Sequence, residues 1–342
     1  MYSPKRVSET IARVRGELGL SPAHSPEVCS THFDHISETL LVVVADRPDK
    51  SAALGHGGWV SSRLKAELGV ERLGVRAQTD LYLKRFRVRR AIRRLKSLAQ
   101  KVEPGVKKVV TTRLIPMLEN ELLYPDRSFY EAEPLREHGA VVGFSGGVDS
   151  TAALIILWKA GLNPVAVTVS PGTWLVPSDT RRTIDGMVRR LGVEHHFIGQ
   201  TNGYNEMFKA ALEGRFHPCS RCHPLTESLV KSFAIENRIP IVSFGDLLST
   251  GGYSSSLTGG ILRFNPPAAL ALTKLDTILL ARQFGHPGAK YVYGCPLLRE
   301  VFKLHPEKRS PAIGRVLRET RAGVLDPGEA LRYIESIVQR EV

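Results

Sequence analysis

The chain has 342 residues, enough for one large or two ordinary domains with a sizeable core. Its formal net charge of +13 and isoelectric point near 9.7 favour a polyanionic partner, RNA foremost. No apolar run approaches the roughly 18–20 residues that cross a membrane. The first residues are polar and basic, unlike a leader, and four cysteines are too few for a disulfide scaffold. A cytoplasmic protein with no membrane attachment is therefore expected.

Val7 to Leu18 is predicted to be a helix, and Thr39 to Val44 (TLLVVV) a short strand. The stretch from Asp46 to Gly58 reads as a loop, and Ser61 to Leu68 as a helix ending at Gly69. The clearest N-terminal helix runs from Leu81 to Val102. Val88, Ile92, Leu95 and Ala99 form one apolar stripe along it. Its other faces carry Lys84, Arg85, Arg87, Arg89, Arg90, Arg93, Arg94 and Lys96, eight cations within thirteen residues. Like charges at this density oppose a helix unless an anion neutralises them, and an RNA backbone would do so. A solvated amphipathic helix docked on the rest of the protein is the competing reading. Val109 to Glu121 is a further helix, kinked near Pro116. Tyr124 to His138 reads as a connecting segment.

From Gly139 the pattern becomes regular. Strands are predicted at 141–144, 164–170, 195–198 and 240–244, with helices at 150–160, 180–191, 205–213 and 225–237 between and beside them. Such alternation specifies a parallel sheet covered on both faces. Ligands then bind at the carboxyl ends of the strands. That would gather Ser145–Ser150, Ser170–Pro171–Gly172, Gly199–Gln200 and Gly245–Asp246 around one cleft.

Within this region Ser145-Gly146-Gly147-Val148-Asp149-Ser150 joins an apolar strand to an apolar helix. Unpaired N–H groups and the positive end of the helix dipole make such a junction an anion site. Gly146 and Gly147 allow close backbone approach, and the two serines add hydroxyls. Asp149 needs a cation beside a phosphate, most simply Mg²⁺. The run is not a Walker A motif, since no Gly-Lys-Ser/Thr follows the glycines. It resembles the SGGxDS signature of the PP-loop (N-type) ATP pyrophosphatases.

That resemblance implies an α/β, Rossmann-like adenine nucleotide α-hydrolase domain over 138–342. Residues 1–137 would form a smaller, mainly helical, basic domain and linker. It implies ATP and Mg²⁺ as cofactors, with cleavage between the α- and β-phosphates. A substrate carbonyl oxygen is adenylated and AMP is then displaced by sulfur or nitrogen. Ser145 to Ser150, Ser170, Gly245 and Asp246 are the expected nucleotide-binding residues. Gly245-Asp246 stands where related enzymes often carry Gly-His.

The second constellation is His217-Pro218-Cys219-Ser220-Arg221-Cys222-His223-Pro224, read as a turn just before a helix. A helix N-terminus and Arg221 are expected to lower the thiol pKa values. The CxxC suits a metal, an iron–sulfur cluster or a redox pair; two buried structural cysteines are the alternative. Some PP-loop enzymes that thiolate tRNA hold a [4Fe-4S] cluster on a CxxC and a later cysteine. By that resemblance Cys219, Cys222 and Cys295 are candidate metal ligands, for a cluster or Zn²⁺. Asp149, Cys219 and Cys222 are the candidate catalytic residues. The Gly/Ser run from Ser249 to Gly260 is read as a lid or a flexible loop, and Lys274 and Arg282 as available for phosphate or acceptor. The C-terminal stretch from Arg315 to Val338 reads as helix, turn, helix, with Gly323 as a cap.

The function expected is ATP-dependent thiolation of a tRNA or other RNA base, with a sulfur donor and a possible homodimer. The alternatives are a synthetase that uses ammonia or an amine on a small molecule, and a non-catalytic ATP- and RNA-binding protein.

Overall fold

Two sheets divide the polypeptide between them. The computed structural model describes residues 2–20, 26–35, 38–199, 202–248, 254–288 and 292–338. The first sheet has the order β1-β2-β3, from Val28–Asp34, Thr39–Val44 and Arg72–Ala77. β2 is central, antiparallel to β1 and parallel to β3. Its β-branched residues are buried on both faces. Helices α1 (Pro4–Glu17), α2 (Arg47–Leu54) and α3 (Trp59–Leu68) cover it. Val7, Ile11, Val14, Leu40, Val42 and Leu64 form its core. Gly69 closes α3 in the left-handed region (φ 65°), where a glycine carries no Cβ penalty.

The stretch 46–58, read as a loop, contains α2. Asp46 is its N-cap, Pro48 sits in its first turn, and the Asp49 carboxylate accepts the Asp46 N–H at 3.1 Å. These are helix-start signals that the neighbouring glycines obscured.

Next come α4 (Gln78–Leu98), α5 (Pro104–Val109), a wide π-type turn over 110–114, and α6 (Ile115–Glu121). The turn lies just before Pro116, where the missing N–H forbids a regular helical bond. The predicted stripe of Val88, Ile92, Leu95 and Ala99 is buried. It joins Val142, Ala152, Ile155 and Phe264 in the core of the second sheet, so α4 to α6 pack on that unit.

The second sheet has the order β6-β5-β4-β7-β9-β8. Its strands are β4 (Val141–Gly143), β5 (Val165–Val169), β6 (His195–Ile198), β7 (Ile241–Ser243), β8 (Ser255–Thr258) and β9 (Ile261–Phe264). All pairings are parallel except that of edge strand β8 with β9. This is the α/β, Rossmann-like arrangement that the alternation predicted. The helices between β4 and β7 are α7 (Val148–Lys159), α8 (Ser178–Leu191), α9 (Asn202–Leu212) and α10 (Cys219–Glu236). Beyond β9 lie α11 (Pro266–Ala269), α12 (Lys274–Gln283), α13 (Pro296–Leu304), α14 (Arg309–Arg321) and α15 (Pro327–Val338). Alternate residues serve the two faces: Val142 and Ala166 pack with α7 and α8, while Val141, Val165 and Val167 join the cluster that includes Val230 of α10 and Val301 of α13.

Strand β8 falls within the Gly/Ser run expected as a lid or flexible loop, and β9 follows it. Gly259 and Gly260, both at positive φ, make the turn between them. Ser249–Tyr253 of that expected lid, and Gln200 of the expected cleft, lie outside the described residues. Among the described residues no helix is long and apolar enough to cross a membrane.

Candidate active site

β4 ends at Gly143, and after Phe144 the chain turns through Ser145 and Gly146. Gly146 has φ 73°, and a Cβ there would stand 2.7 Å from the Ile184 side chain. Gly147 is the N-cap of α7, so the helix starts inside the loop, two residues earlier than predicted. A glycine N-cap offers no side-chain acceptor. The first N–H groups of α7, from Val148, Asp149 and Ser150, are thus left without the usual cap, as an anion site requires.

The Ser150 hydroxyl fastens the loop. It accepts the Ser145 N–H at 3.3 Å, lies 3.0 Å from Ser145 Oγ, and donates to the Gly147 carbonyl at 3.0 Å. His286, which the sequence reading did not single out, holds the opposite side. The Gly288 N–H donates to His286 Nδ1 at 3.0 Å, so Nε2 carries the proton and donates to the Gly146 carbonyl at 2.9 Å. Burial lowers the pKa of this imidazole and favours its neutral form. Because C=O and N–H of one peptide point in opposite directions, anchoring the Gly146 carbonyl turns the Gly147 N–H away from His286. The available signal was its setting, Gly285-His286-Pro287-Gly288, a histidine between turn residues.

Asp149 has two partners within the protein. Lys274 Nζ stands 2.7 Å from its Oδ2 and Thr277 Oγ1 donates to Oδ1 at 2.7 Å. An ammonium from α12 thus stands beside the carboxylate for which the sequence suggested Mg²⁺. Thr273 caps α12: its Oγ1 accepts the Asp276 N–H at 3.3 Å, and the Asp276 carboxylate accepts the Thr273 N–H at 2.7 Å. The first turn of α12, and with it Lys274, is thereby fixed.

Gly245 abuts the loop directly. A Cβ on it would lie 2.5 Å from Ser150 N and 2.6 Å from the Asp149 carbonyl carbon. Asp246 points elsewhere, its Oδ2 accepting from Arg263 Nη2 at 2.8 Å and from Asn265 Nδ2 at 2.7 Å. Ser170 sits one residue beyond β5, at the same end of the sheet, with its N–H bonded to the Ile198 carbonyl.

Arg263 also grips Glu227 of α10 through both nitrogens, at 2.9 and 2.7 Å, and His223 Nε2 lies 2.9 Å from Glu227 Oε1. Burial opposes ionisation of Glu227, but bonds from His223 and Arg263 hold its pKa below the usual range. His223 follows Cys222. One line of contacts therefore runs from the CxxC through Glu227, Arg263 and Asp246 to Gly245 and the loop.

Cys219 and Cys222 occupy the first turn of α10 itself, six residues before the predicted helix start. Cys295 is the N-cap residue of α13. Cys222 and Cys295 pack against the same apolar cluster, and Cys295 acts to raise the pKa values of both Cys219 and Cys222. The expected lowering does not occur. Burial pushes Cys219 up to about 12 and Cys222 to about 11, and raises Cys295. Cys219 keeps solvent-accessible surface, whereas Cys222 and Cys295 are half-buried. Among the described residues, only His223, Glu227 and Asp246 bring three such ligand atoms within 4.8 Å of one another. At least one pair of the three sulfurs is therefore more than 4.8 Å apart, beyond the roughly 3.8 Å that a tetrahedral zinc with bonds of about 2.3 Å imposes.

The basic residues of α4 separate into two groups. Lys84 is buried, 2.7 Å from Glu121 Oε1, and donates to the Leu270 carbonyl at 2.7 Å. It is a packing residue, which corrects its reading as an RNA contact. Arg85 donates to the Leu122 and Tyr124 carbonyls, and Arg87 to that of Ala322. Arg89, Arg90, Arg93 and Arg94 are exposed.

No family model matches the chain. It is 29% identical over 259 residues to an uncharacterized protein of Methanocaldococcus jannaschii, which covers 76% of this chain and 95% of that one. It is 30% identical over 127 residues to the tRNA-specific 2-thiouridylase MnmA 3 of Phocaeicola vulgatus, 32% of this chain and 33% of the relative. A segment of 61 residues is 43% identical to the NH(3)-dependent NAD(+) synthetase of Hyperthermus butylicus, 18% of this chain and 22% of that one. The chain thus spans a third or less of each relative that has a named activity. Those two activities differ, but both relatives are PP-loop ATP pyrophosphatases, so the resemblance to that superfamily read from Ser145 to Ser150 is borne out.

Proposed function

We propose that this protein is an ATP-dependent enzyme that adenylates a carbonyl oxygen of an RNA base, in tRNA foremost, and exchanges that oxygen for sulfur. The observation that carries the sulfur chemistry is the packing of Cys222 of the CxxC and Cys295 against one apolar cluster, with the CxxC linked through His223, Glu227, Arg263 and Asp246 to the loop. The partial identity to a tRNA-specific 2-thiouridylase supports the same reading.

In this proposal the first N–H groups of α7 and the Gly147 N–H bind the pyrophosphate part of ATP. Ser145 is exposed at the rim and adds a hydroxyl. Asp149 retains unused acceptor capacity on both oxygens and would hold Mg²⁺ beside Lys274. The substrate oxygen attacks the α-phosphorus, pyrophosphate leaves, and AMP later departs with the oxygen. Positioning and charge neutralisation are the protein's main contribution. Residues 138–342 carry this chemistry, and the exposed arginines within 1–137 hold the RNA.

Three cysteines would leave one iron of a [4Fe-4S] cluster without a protein ligand, and their sulfurs do not all lie within 4.8 Å of one another as a zinc site would need. Cys219, Cys222 and Cys295 would hold the cluster, and the iron without a protein ligand would be available to sulfur.

A second reading, an ammonia-using synthetase, is favoured by the 43% local identity to the NAD(+) synthetase. It requires no cysteine. Mass spectrometry of tRNA nucleosides from cells lacking the gene tests the first reading: loss of one thiolated nucleoside supports it. An unchanged nucleoside profile, together with full activity of a Cys219→Ala/Cys222→Ala variant on a small molecule, supports the second. Release of ADP instead of AMP would sink both.

A further inference from the structure

The outward face of α4 carries more than charge. Tyr82 is 64% exposed and Phe86 50%. They lie four residues apart, one above the other on the helix surface. Arg93 continues the same line, with Arg89 and Arg90 on either side of it at 100° per residue. The Arg90 guanidinium sits 5.9 Å from the Phe86 ring centre. Arg89, Arg90 and Arg93 have no hydrogen bond or ion pair among the described residues, and no acidic residue occurs from Leu81 to Val102. The opposite face is fully used, with Leu81, Val88, Ile92 and Leu95 in the core. The exposed rings are therefore not needed for packing. Two uncovered aromatic rings in line with three unpaired arginines expose apolar surface at a cost that solubility alone does not explain.

We infer that the Tyr82-Phe86-Arg89-Arg90-Arg93 face of α4 binds a single-stranded segment of the RNA acceptor, with unpaired bases on the two rings and phosphates on the arginines. This rests on the proposal that the acceptor is RNA, and it specifies the surface and the state of the strand. A duplex keeps its base faces covered by neighbouring bases, so rings on a convex helix gain little from it. Unpaired bases offer a free face to stack on. A run of carboxylates on an acidic protein would pair with the arginines but supplies no ring faces for Tyr82 and Phe86.

The test compares three labelled probes on the full chain: a short oligouridine strand, a blunt RNA duplex and polyglutamate. The unaltered protein should prefer oligouridine. Tyr82→Ala/Phe86→Ala should weaken oligouridine binding by about tenfold or more and leave duplex binding nearly unchanged. Arg89→Ala/Arg93→Ala should weaken both RNAs and reduce the slope of log affinity against log salt for oligouridine by about 1.4. All four positions are exposed, and unchanged thermal melting will confirm intact folds. If the aromatic variant binds oligouridine as well as the parent, the inference is overturned while the RNA reading stands. If polyglutamate binds as tightly as oligouridine and loses as much in both variants, the face is an acidic-protein surface and the inference falls. If the unaltered protein binds neither RNA, the RNA reading falls with it.

Discussion

Lys274 Nζ lies 2.7 Å from Asp149 Oδ2, so the carboxylate in the glycine-rich loop has a counter-charge from a residue 125 positions further along the chain. Lys274→Ala should leave Asp149 held by Thr277 alone and its charge uncompensated beside the phosphates. Pyrophosphate release should fall by about 10²-fold or more, the loss typical of one missing charge-stabilising group. Lys274→Arg should recover part of it. Equal turnover of the parent and Lys274→Ala in a pyrophosphate assay would remove this lysine from the site.

Gly245 and Gly186 make a matched pair. A Cβ at Gly245 meets backbone atoms of Ser150 and Asp149 at 2.5 and 2.6 Å, and neither can move without shifting the loop. Gly245→Ala should cost about 1–3 kcal/mol in denaturant titration and abolish measurable ATP binding. Gly186, inside α8, has nothing within 4 Å of the same position. Gly186→Ala should stabilise the protein by about 0.5–1 kcal/mol and leave ATP binding untouched.

The cations of α4 should divide in the same way. Lys84→Met removes one member of a buried ion pair and leaves Glu121 with Arg127 only. A loss of about 3–5 kcal/mol is expected from urea unfolding. Arg93→Ala, on the exposed face, should change stability by no more than about 0.5 kcal/mol. Equal melting of the two variants would show that Lys84 is not structural.

His195 should make stability depend on pH. Burial lowers its pKa to about 4, with His196 and Arg181 acting in the same sense and Asp185 against them. Its Nε2 lies 2.9 Å from Thr168 Oγ1, which donates to the Phe144 carbonyl just before the loop. An unfolded histidine titrates near 6.5. Between about pH 6.5 and 4 the unfolded chain binds the proton and the folded chain does not, so stability falls as pH drops through that window. Below about 4 both states are protonated and the contribution is flat. Melting temperatures of the parent and His195→Gln should converge as pH falls across the window; parallel curves would remove His195 as the cause.

How much of this was readable depended on whether the signal was local. The six-residue loop was legible because glycine chemistry, helix capping and anion binding all act within one turn of chain. The parallel sheet was legible because Val141–Gly143, Val165–Val169 and Ile241–Ser243 are apolar runs between amphipathic helices. β1 was missed since Val28-Cys29-Ser30-Thr31-His32-Phe33-Asp34 is mostly half-exposed and polar. β3 was missed because Arg72-Leu73-Gly74-Val75-Arg76-Ala77 mixes glycine and two arginines in six residues. Both are strands because β2 offers them a partner, which spacing cannot show. His286 and Thr277 were missed for the same reason, and Lys84 was misassigned because a helix's charges do not reveal which of them will be buried.

The buried Arg76 has a consequence for the order of events during synthesis. It lies in β3, and burial alone would depress its pKa, yet Asp326 and Asp276 hold it well above its ordinary value. Its guanidinium donates to Thr273 Oγ1 at 2.7 Å and approaches Asp326 Oδ1 at 3.5 Å, partners 197 and 250 residues later. A nascent chain that has just released β3 and Asp80 therefore still lacks the Thr273 and Asp326 partners of this cation. The Arg76 edge of the N-terminal sheet therefore gains these partners only after residues up to the start of α15 have emerged, which ties the completion of the first sheet to a distant part of the chain.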